Sequence, residues 1–573
     1  MRTRYQGIPA SDGIAVAPLF ILEASAPAVE ERHDVSVTAE QSRLQAAIEQ
    51  TKAELQTLFE TAKEKMGAEN AQIFTAHLQI LEDPEFAGAI ANTIDAQSVN
   101  AEFAVTTVAN QLVAVFEQME DEYLRQRASD IKDVSQRLLS HVQGVSRTSL
   151  AELQSPVVLA AEDLTPSDTV VLDKNLVKAF ITDVGGKTSH SAIMARSLGI
   201  PAVVGLGPIT HSLVSGTTVM VNGFTGEVIV DPTPDEQAEF AASIERHAAA
   251  EEQLKALVNE PSVTTDGRQV EVGGNIGSPQ DLAAVLENGG EGVGLFRSEF
   301  LYMNRTAAPT EEEQFEAYRQ VAAGLNGRPV VIRTLDVGGD KEIPYLDLPA
   351  ERNPFLGYRA IRVCLDRTEL FQTQLRAILR ASHYGNIKMM FPMISNITEI
   401  RRAKQVLEEV KADLRRNAIP FDEHLEVGIM IEIPAAAVAA DLLAKEVDFF
   451  SIGTNDLIQY TMACDRMNEQ ISHLYQPYHP AILRLVKWVI DGAHRHGKWV
   501  GMCGEMAGDL TATPILLGLG LDEFSMSAKS ILKVRQAIRN LSYEQAQKLA
   551  ETALAEESEE AVLALVEAWH TKQ

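Results

Sequence analysis

The chain has 573 residues, a formal net charge of −30 at pH 7 and 45% apolar residues. By usual domain sizes this length corresponds to roughly three or four domains, and the apolar content is enough for large cores. The negative charge argues against non-specific nucleic-acid binding, because most of the surface repels a polyanion, and it favours a basic protein partner. There is no signal-peptide pattern and no run of about 18 apolar residues, so we expect no membrane insertion. Three scattered cysteines are typical of a reducing compartment, and we expect a cytoplasmic protein.

The regions of the chain differ in glycine and proline content. Residues 29–145 contain few of either, and their apolar residues recur at helical spacing, which predicts a helical bundle. Residues 1–28 and 146–231 are rich in valine, isoleucine, glycine and turn residues. We therefore predict one discontinuous α/β domain with the bundle inserted into it. Residues 232–261 are rich in alanine and glutamate, which predicts a helical linker.

Residues 262–573 alternate short apolar segments with stretches that are mostly long enough for helices. The segments have the continuous Val/Ile/Met/Phe character of strands buried on both faces. Eight such units predict a closed (β/α)8 TIM barrel, in which active sites lie at the C-terminal ends of the strands. The predicted strands are Glu271–Ile276, Gly292–Phe296, Val330–Leu335, Ile387–Ile394, Glu426–Ile433, Val447–Gly453, Lys498–Glu505 and Leu521–Ser527.

Several residues at or after these strand ends are suited to phosphate, metal or proton chemistry. Arg297 and Arg333 suit phosphate, because guanidinium groups bind phosphate oxygens in pairs and stay charged, although surface salt bridges would look the same. Glu432 and Asp456 suit a hard cation such as Mg²⁺, although two structural carboxylates would also fit. Cys503 could donate a proton, with inert packing as the alternative. The remaining candidates near this rim are Asn455 and Arg466.

A histidine stands in the segment Gly185–His190, far upstream of the barrel. The segment resembles the end of a nucleotide-binding P-loop, but that loop requires a glycine at position 181, which is Ile181. The pattern instead predicts a helix that starts near His190 and stops at Gly199 and Pro201. A histidine in the first turn of a helix is held in its neutral, nucleophilic form, and the same helix end stabilises a phosphoryl group on it. The alternative is a histidine that only packs or titrates.

Two longer runs, Gly185–Arg196 and Asp448–Tyr460, closely resemble the signatures of the phosphoenolpyruvate-utilising enzymes. Domain order and length resemble the enzyme I family of the sugar phosphotransferase system over essentially the whole chain. The resemblance implies that His190 takes the phosphoryl group from phosphoenolpyruvate and passes it to a histidine of the carrier protein HPr, releasing pyruvate in the first step of sugar uptake. Met467 departs from the family pattern, because a glycine or small residue is expected there.

The same resemblance implies roles for the rim residues. Glu432 and Asp456 would hold Mg²⁺, and Cys503 would protonate the enolate to give pyruvate. The implied substrate ligands are Arg297, Arg333, Asn455 and Arg466. The implied carrier-docking residues of the bundle are Glu69, His77, Asp83, Glu85 and Arg127, with an ordinary solvated helix face as the alternative. A swivelling histidine domain and a homodimer formed through the barrel are further implications.

Two other functions remain open at this stage. A dikinase or phosphoenolpyruvate synthase shares the histidine domain and the barrel, but it also needs a nucleotide-binding module, and this chain begins directly with the α/β segment at Gly7. A non-catalytic regulator that only senses phosphoenolpyruvate is disfavoured, because His190, Cys503 and the charged rim residues are all intact.

Overall fold

The computed structural model describes residues 2–22, 29–66, 68–117, 122–145, 153–165, 168–169, 172–186, 189–303, 305–339, 341, 343–466 and 468–571. The predictions at Lys187, Thr188 and Met467 lie outside the described residues, and for Glu69 and His190 only the backbone is described. The chain divides into two compact units, Met1–Ala249 and Ala250–Gln573. Within the described part of the chain, no helix combines the length and apolarity needed to cross a bilayer.

The first unit contains an α/β sheet and a group of helices. Its described strands are β1 (Thr3–Gln6), β2 (Ile8–Ser11), β3 (Ile14–Ile21), β4 (Val157–Ala161), β5 (Val177–Thr182), β6 (Ala202–Val204), β7 (Thr218–Asn222) and β8 (Glu227–Val230). Its described helices are α1 (Val37–Met66), α2 (Ala68–Glu82), a π-helical turn (Pro84–Gly88), α3 (Ala89–Gln97), α4 (Ala101–Glu117), α5 (Glu122–Gln143), α6 (His190–Leu198) and α7 (Pro234–Lys255), which extends past the unit boundary.

Strands from both sides of the helical region belong to one sheet. The described strand order is β1-β8-β7-β3-β4-β5-β6-β2, and β3 pairs in parallel with β4, the first described strand after the helices. The chain therefore leaves the sheet after β3, forms the bundle and returns at β4, as the sequence predicted. The bundle has its own buried core, which includes Leu55, Phe74 and Leu138.

The second unit contains the predicted barrel. Its strands are β9 (Glu271–Ile276), β10 (Val293–Arg297), β11 (Val330–Arg333), β12 (Ile387–Phe391), β13 (Val427–Ile431), β14 (Phe449–Ile452), β15 (Trp499–Met502) and β16 (Glu523–Met526). The described helices are α8 (Leu282–Glu287), α9 (Glu311–Gly324), α10 (Ile361–Asp366), α11 (Thr368–Ser382), α12 (Ile397–Arg416), α13 (Pro434–Val438), α14 (Ala440–Leu443), α15 (Thr454–Met462), α16 (Pro480–His494), α17 (Thr513–Leu519), α18 (Ile531–Asn540), α19 (Tyr543–Ala555) and α20 (Glu559–His570).

The barrel closes because β16 pairs in parallel with β9, and each neighbouring pair of strands between them is also parallel. The fold class predicted from the apolar segments is confirmed. Most strands end one to three residues earlier than predicted; β13, for example, ends at Ile431 rather than Ile433. The residues beyond these ends turn into the loops that carry the rim side chains.

Side chains fill the inside of the barrel. Leu295, Val331, Met390 and Met430 form a buried cluster there together with Phe449 and Cys503. The ring of Phe449 stacks on Trp499 with centroids 4.4 Å apart and planes 7° from parallel. Such aromatic pairs contribute about 0.5–1.5 kcal/mol beyond the area they bury. At this level the barrel interior is therefore a packed core.

Candidate active site

A cavity of about 470 Å³ lies where the barrel strands end. The structure brings seven of the residues singled out in the sequence together around it: Arg297, Arg333, Glu432, Asn455, Asp456, Arg466 and Cys503. Their position follows from the strand ends. Arg297 and Arg333 are the last residues of β10 and β11, and Glu432 and Cys503 directly follow β13 and β15. Because all barrel strands run in parallel, their C-terminal ends meet at one mouth.

Buried ion pairs hold the cations of this cavity in place. Arg333, only 6% exposed, places Nη2 2.5 Å from Glu299 and Nη1 3.1 Å from Asp336. The Nζ of Lys341 lies 2.8 Å from Glu299 and 3.0 Å from Asp336. Arg359 donates to Asp336 at 3.0 Å. Charge-assisted pairs in a dry environment restrict these side chains, so the cationic wall is formed before any anion binds.

The electrostatic effects of this network are large. Burial alone would raise the pKa of Asp336, but Lys341, Arg333 and Arg359 outweigh it and hold that pKa well below its ordinary value. Burial alone would lower the pKa of the Arg333 guanidinium, but the charges of Glu299 and Asp336 outweigh it, so this pKa is raised. The carboxylates and guanidinium groups therefore stay ionised throughout the physiological pH range.

The sequence prediction missed four members of this network: Glu299, Asp336, Lys341 and Arg359. Asp336 and Lys341 follow β11 in a glycine-containing loop. Their position shortly after a strand end could have marked them as residues of the barrel mouth. Glu299 lies in the short turn after β10. No local pattern marks Arg359, which lies 26 positions beyond the end of β11 at Arg333.

Glu432 and Asp456 form the acidic side of the cavity. Glu432 is 1% exposed, and its Oε1 accepts a hydrogen bond from the Met393 amide at 2.6 Å. Burial and the charges of Asp456 and Asp336 raise the pKa of Glu432 to about 8, although Arg333 and Arg359 oppose the shift. Repulsion between close carboxylates is relieved when a divalent cation binds between them.

These two carboxylates fit Mg²⁺. Among the described residues no group of three or more His, Cys, Asp or Glu side chains forms a complete metal cage. Mg²⁺ is commonly held by one or two carboxylates together with water and substrate oxygens, so a two-carboxylate set beside an anion cavity matches its preference. Arg359 Nη2 stands 3.6 Å from Asp456 Oδ2 and fixes the outer side of that carboxylate.

Cys503 is a buried thiol at the floor of the cavity, 3% exposed. Its Sγ accepts a hydrogen bond from Ser451 Oγ at 3.3 Å. Burial raises the pKa of Cys503 to about 11, although Ser451 and Arg333 oppose the shift. The group is therefore a protonated thiol at neutral pH and can act as an acid. Inert packing would not need the thiol to line a cavity.

Asn455, Arg466 and Arg297 complete the rim. The Asn455 amide pairs with Glu505, donating to its carboxylate at 3.2 Å and accepting from its backbone N–H at 3.0 Å. The backbone N–H of Arg466 donates to Gln459 at 3.1 Å, which anchors the loop that carries its side chain. Among the described residues, Arg297 has no ion-pair partner, so its guanidinium is available to a bound anion.

The predicted histidine helix is confirmed as α6, which begins at His190. Ser189 caps it, accepting a hydrogen bond from the Ala192 N–H at 3.3 Å and donating to the Gly186 carbonyl at 2.8 Å. Gly199 ends the helix in the left-handed conformation, with a φ of 68°. His190 therefore occupies the first position of the helix, where free N–H groups favour an anion.

One of the predicted docking residues lies in the interior of the bundle. His77 is fully buried, with Nε2 3.3 Å from Asp130 and its ring edge-to-face with Phe74. It supports the bundle and presents no contact surface, so its docking role stays a prediction. Asp83 and Glu85 are exposed, and Asp83 caps the π-helical turn by accepting from the Glu85 N–H. Arg127 is partly exposed.

The fold and the site together define a barrel enzyme with a preformed cavity for a small anion. Three family models of phosphoenolpyruvate-utilising enzymes match the chain: the N-terminal domain over residues 6–127, the mobile domain over 153–226 and the phosphoenolpyruvate-binding domain over 251–543. The chain belongs to the phosphoenolpyruvate-utilising enzymes.

Curated relatives match along nearly the whole chain. Phosphoenolpyruvate-protein phosphotransferase of Priestia megaterium is 54% identical over 566 residues, 99% of each chain. The protein of that name from Bacillus subtilis strain 168 is 53% identical over 561 residues, 98% of each chain. A solution NMR structure of an Enzyme I protein is 39% identical, covers 43% of this chain and 99% of its own, and has a TM-score of 0.38.

Proposed function

We propose that this chain transfers the phosphoryl group of phosphoenolpyruvate to His190 and then to a histidine of an HPr-type carrier, releasing pyruvate. The observation that carries the proposal is the cavity at the barrel mouth, which combines fixed cations, a close carboxylate pair and a protonated thiol. Each of these matches one chemical need of the reaction. The near-complete match to relatives named phosphoenolpyruvate-protein phosphotransferase supports the same assignment.

The cationic wall binds the substrate. Arg297 and Arg333 are proposed to hold phosphate oxygens, because guanidinium groups pair with them in a fixed geometry. Arg466 and the amide of Asn455 are proposed to bind the remaining phosphate and carboxylate oxygens. Phosphoryl transfer depends on alignment and charge neutralisation more than on covalent help from the protein, so a preorganised cationic site suffices.

Glu432 and Asp456 are proposed to hold Mg²⁺. When bound, the ion would neutralise developing negative charge on the substrate oxygens. The chain's own contribution is to hold the two carboxylates in position. The Met393 amide holds Glu432, and Arg359 lies beside Asp456.

Cys503 is proposed to complete the reaction by protonating the enolate carbon. An acid that keeps its proton at neutral pH is needed where the enolate forms, and the thiol meets this need because burial has raised its pKa to about 11. The S–H bond breaks as the new C–H bond of the pyruvate methyl group forms.

His190 is the proposed phosphoryl acceptor. Its place at the start of α6 provides a helix N-terminus for the phosphoryl anion. We assign residues 1–28 and 146–231 to the phosphohistidine domain, 232–261 to the linker and 262–573 to the substrate-binding and dimerisation domain. The histidine and the cavity belong to different units, and the resemblance to the enzyme I family implies that the histidine domain swivels to bring His190 to the cavity.

The inserted bundle, residues 29–145, is the proposed carrier-docking domain. Asp83 and Glu85 are exposed acids next to each other at the π-helical turn, and the whole chain carries a net charge of −30. A basic carrier surface would be attracted to such a face. Glu69 and Arg127 belong to the same proposed surface.

Homodimerisation and a cytoplasmic location are also part of the proposal. Val438, Leu442 and Trp488 are 61%, 52% and 52% exposed, and they lie on α13, α14 and α16, which pack together. An exposed apolar group of this kind is typical of a self-association surface. Cys364, Cys464 and Cys503 are all free thiols, as a reducing compartment requires.

The test is transfer of a labelled phosphoryl group from phosphoenolpyruvate. With Mg²⁺ present, wild type should acquire an acid-labile label and pass it to a purified HPr-type carrier. His190→Ala should acquire none. Arg196→Lys, a conservative change in the same helix, serves as the matched control and should label like wild type. Equal labelling of wild type and His190→Ala would reject the assignment.

A further inference from the structure

A glutamine occupies the buried face of α11. Gln374 is 1% exposed and shares this face with Phe371, Leu375 and Ile378. The four residues recur at the spacing of an apolar helix face, where an aliphatic side chain would be expected. Burying an amide costs free energy unless its N–H and C=O groups are hydrogen-bonded. The partners of this amide therefore explain why a glutamine is tolerated here.

Three hydrogen bonds fix the amide of Gln374. Its Oε1 accepts from the backbone N–H of Leu335 at 2.8 Å, and its Nε2 donates to Ser298 Oγ at 2.9 Å and to Tyr318 Oη at 3.1 Å. Both hydroxyl groups belong to fully buried residues. A backbone N–H can only donate, so Leu335 determines which way the amide points. A carboxylate could not donate to the two hydroxyl groups, and an aliphatic side chain could form none of the three bonds.

These bonds reach the two strand ends that carry the arginines of the cavity. Ser298 directly follows Arg297, the last residue of β10. Its hydroxyl group donates to the backbone carbonyl of Arg333, the last residue of β11, at 2.6 Å. Leu335 lies two positions beyond Arg333. Gln374 is therefore joined to the end of β10 through Ser298 and to the end of β11 through Leu335, each time by a direct hydrogen bond.

The side-chain bonds begin where strand pairing stops. Arg297 and Arg333 are the last residues at which β10 and β11 pair. Beyond them the chain turns into loops, but buried backbone groups still need partners. The carbonyl of Arg333 finds one in Ser298, and the N–H of Leu335 finds one in Gln374. The amide and the serine hydroxyl thus continue the connection between the two segments beyond the end of the sheet.

The residues held in this way are direct neighbours of the charged residues of the site. Ser298 lies between Arg297 and Glu299, and Leu335 directly precedes Asp336. Glu299 and Asp336 are the carboxylates that fix the second arginine of the cationic wall. A shift of either segment would therefore move a guanidinium group or its ion-pair partner. A misplacement of about 1 Å can lower an enzymatic rate by about 100-fold.

We propose that Gln374 is a positioning residue for phosphoryl transfer. Its amide sets the separation of the arginine-bearing ends of β10 and β11, and through it the fit of the cationic wall to the phosphate group. This inference rests on the proposed function, in which Arg297 and Arg333 bind phosphate oxygens. Gln374 does not line the cavity, so it acts only through the segments that it holds.

A purely structural role for this amide predicts different kinetics. A variant that is only less stable has fewer folded molecules, so its apparent kcat falls. Its KM for phosphoenolpyruvate stays unchanged, because the molecules that remain folded bind the substrate normally. Displaced arginines weaken the contacts with the substrate in every molecule, so the KM rises. The KM is therefore the quantity that separates the two roles.

Three variants of the full-length protein test the proposal in a pyruvate-release assay with Mg²⁺ and a purified HPr-type carrier. Gln374→Met keeps a side chain of similar size and removes all three bonds. Ser298→Ala and Tyr318→Phe form a matched pair, since each removes one buried hydroxyl group that accepts from Gln374. Only the serine also bonds to Arg333. Gln374→Met and Ser298→Ala should raise the KM about tenfold, and Tyr318→Phe should stay within about twofold of wild type.

The outcomes distinguish the positioning role from loss of folding and from failure of the proposed function. A wild-type KM in Gln374→Met or in Ser298→Ala overturns the proposal. An equal rise in Tyr318→Phe also overturns it, because general loosening of the barrel would then explain the effect. If Gln374→Met does not fold, Ser298→Ala decides, since it leaves the amide in place. A wild type that neither labels His190 nor releases pyruvate refutes the proposed function, and this inference with it.

Discussion

Replacing Glu523 by glutamine should stabilise the barrel, and by an amount that depends on pH. The pKa of this carboxyl group is raised from 4.5 to about 8 in the folded protein, with burial as the largest cause. A raised pKa means that ionisation opposes folding. The stability associated with the neutral carboxyl group is complete below pH 4.5 and is lost as the pH rises through about 8. Glutamine has nearly the same shape and cannot ionise, so it avoids this loss.

The magnitude follows from 1.36 kcal/mol for each pH unit between the two pKa values. Relative to wild type, Glu523→Gln should gain under about 1 kcal/mol in the free energy of unfolding at pH 5. The gain should reach roughly 3 kcal/mol at pH 7 and roughly 5 kcal/mol at pH 9. For a unit of this size about 2 °C per kcal/mol is expected, so at pH 9 the Tm should rise on the order of 10 °C.

Scanning calorimetry of the full-length protein resolves the transition of the barrel unit, which a single two-state fit of a multidomain chain would not. Glu426→Gln is the matched control. It removes the charge from a partly exposed pair with Lys388 and should change the free energy of unfolding by less than about 1 kcal/mol at every pH. A Tm difference between Glu523→Gln and wild type that stays constant from pH 5 to pH 9 would refute the reasoning.

Three further substitutions test other parts of the structure. Arg333→Lys loses the paired contacts with Glu299 and Asp336. The KM for phosphoenolpyruvate in a pyruvate-release assay should therefore rise about tenfold or more, and an unchanged KM would contradict the proposed phosphate contact. Gly501→Ala places a Cβ against the Glu523 carboxyl group and should lower the free energy of unfolding by about 1–3 kcal/mol in urea titrations. The double variant Gly501→Ala/Glu523→Ala should recover this loss, and additive losses would argue against the contact. Ser189→Ala removes the cap of α6. It should lower the free energy of unfolding of the first unit by about 1 kcal/mol and reduce labelling of His190. Wild-type values for both would show that the cap is unimportant.

The sequence was most informative where a strand ends in a reactive residue. Continuous apolar runs marked the barrel strands, and the parallel arrangement then required Arg297, Arg333 and Glu432 to share one mouth. The start of α6 was equally readable, because Ser189 and Gly199 are the residue types that begin and end helices.

Other features were not readable from local patterns. Arg359 reaches the site from a long loop, and only the fold shows that Asp336 pairs with it. Glu523 was hidden because it opens an apolar run, and a strand buried on both faces gives no alternation to reveal an inward acid. The signal that could have found it is distributed along the chain, since it consists of Gly294 on β10 and Gly501 on β15, whose missing side chains leave room for the carboxyl group. The buried position of His77 was also not evident, because helical spacing alone does not separate a polar core residue from a surface one.

The deep position of the Cys503 thiol has a consequence for chemical damage. Thiolates, not thiols, react with peroxides and alkylating reagents, and access to solvent sets how fast they do so. With 3% exposure and a pKa raised to about 11, Cys503 is rarely a thiolate at neutral pH. The burial that makes this sulfur a suitable acid should therefore also make it slow to oxidise in a cell under oxidative stress.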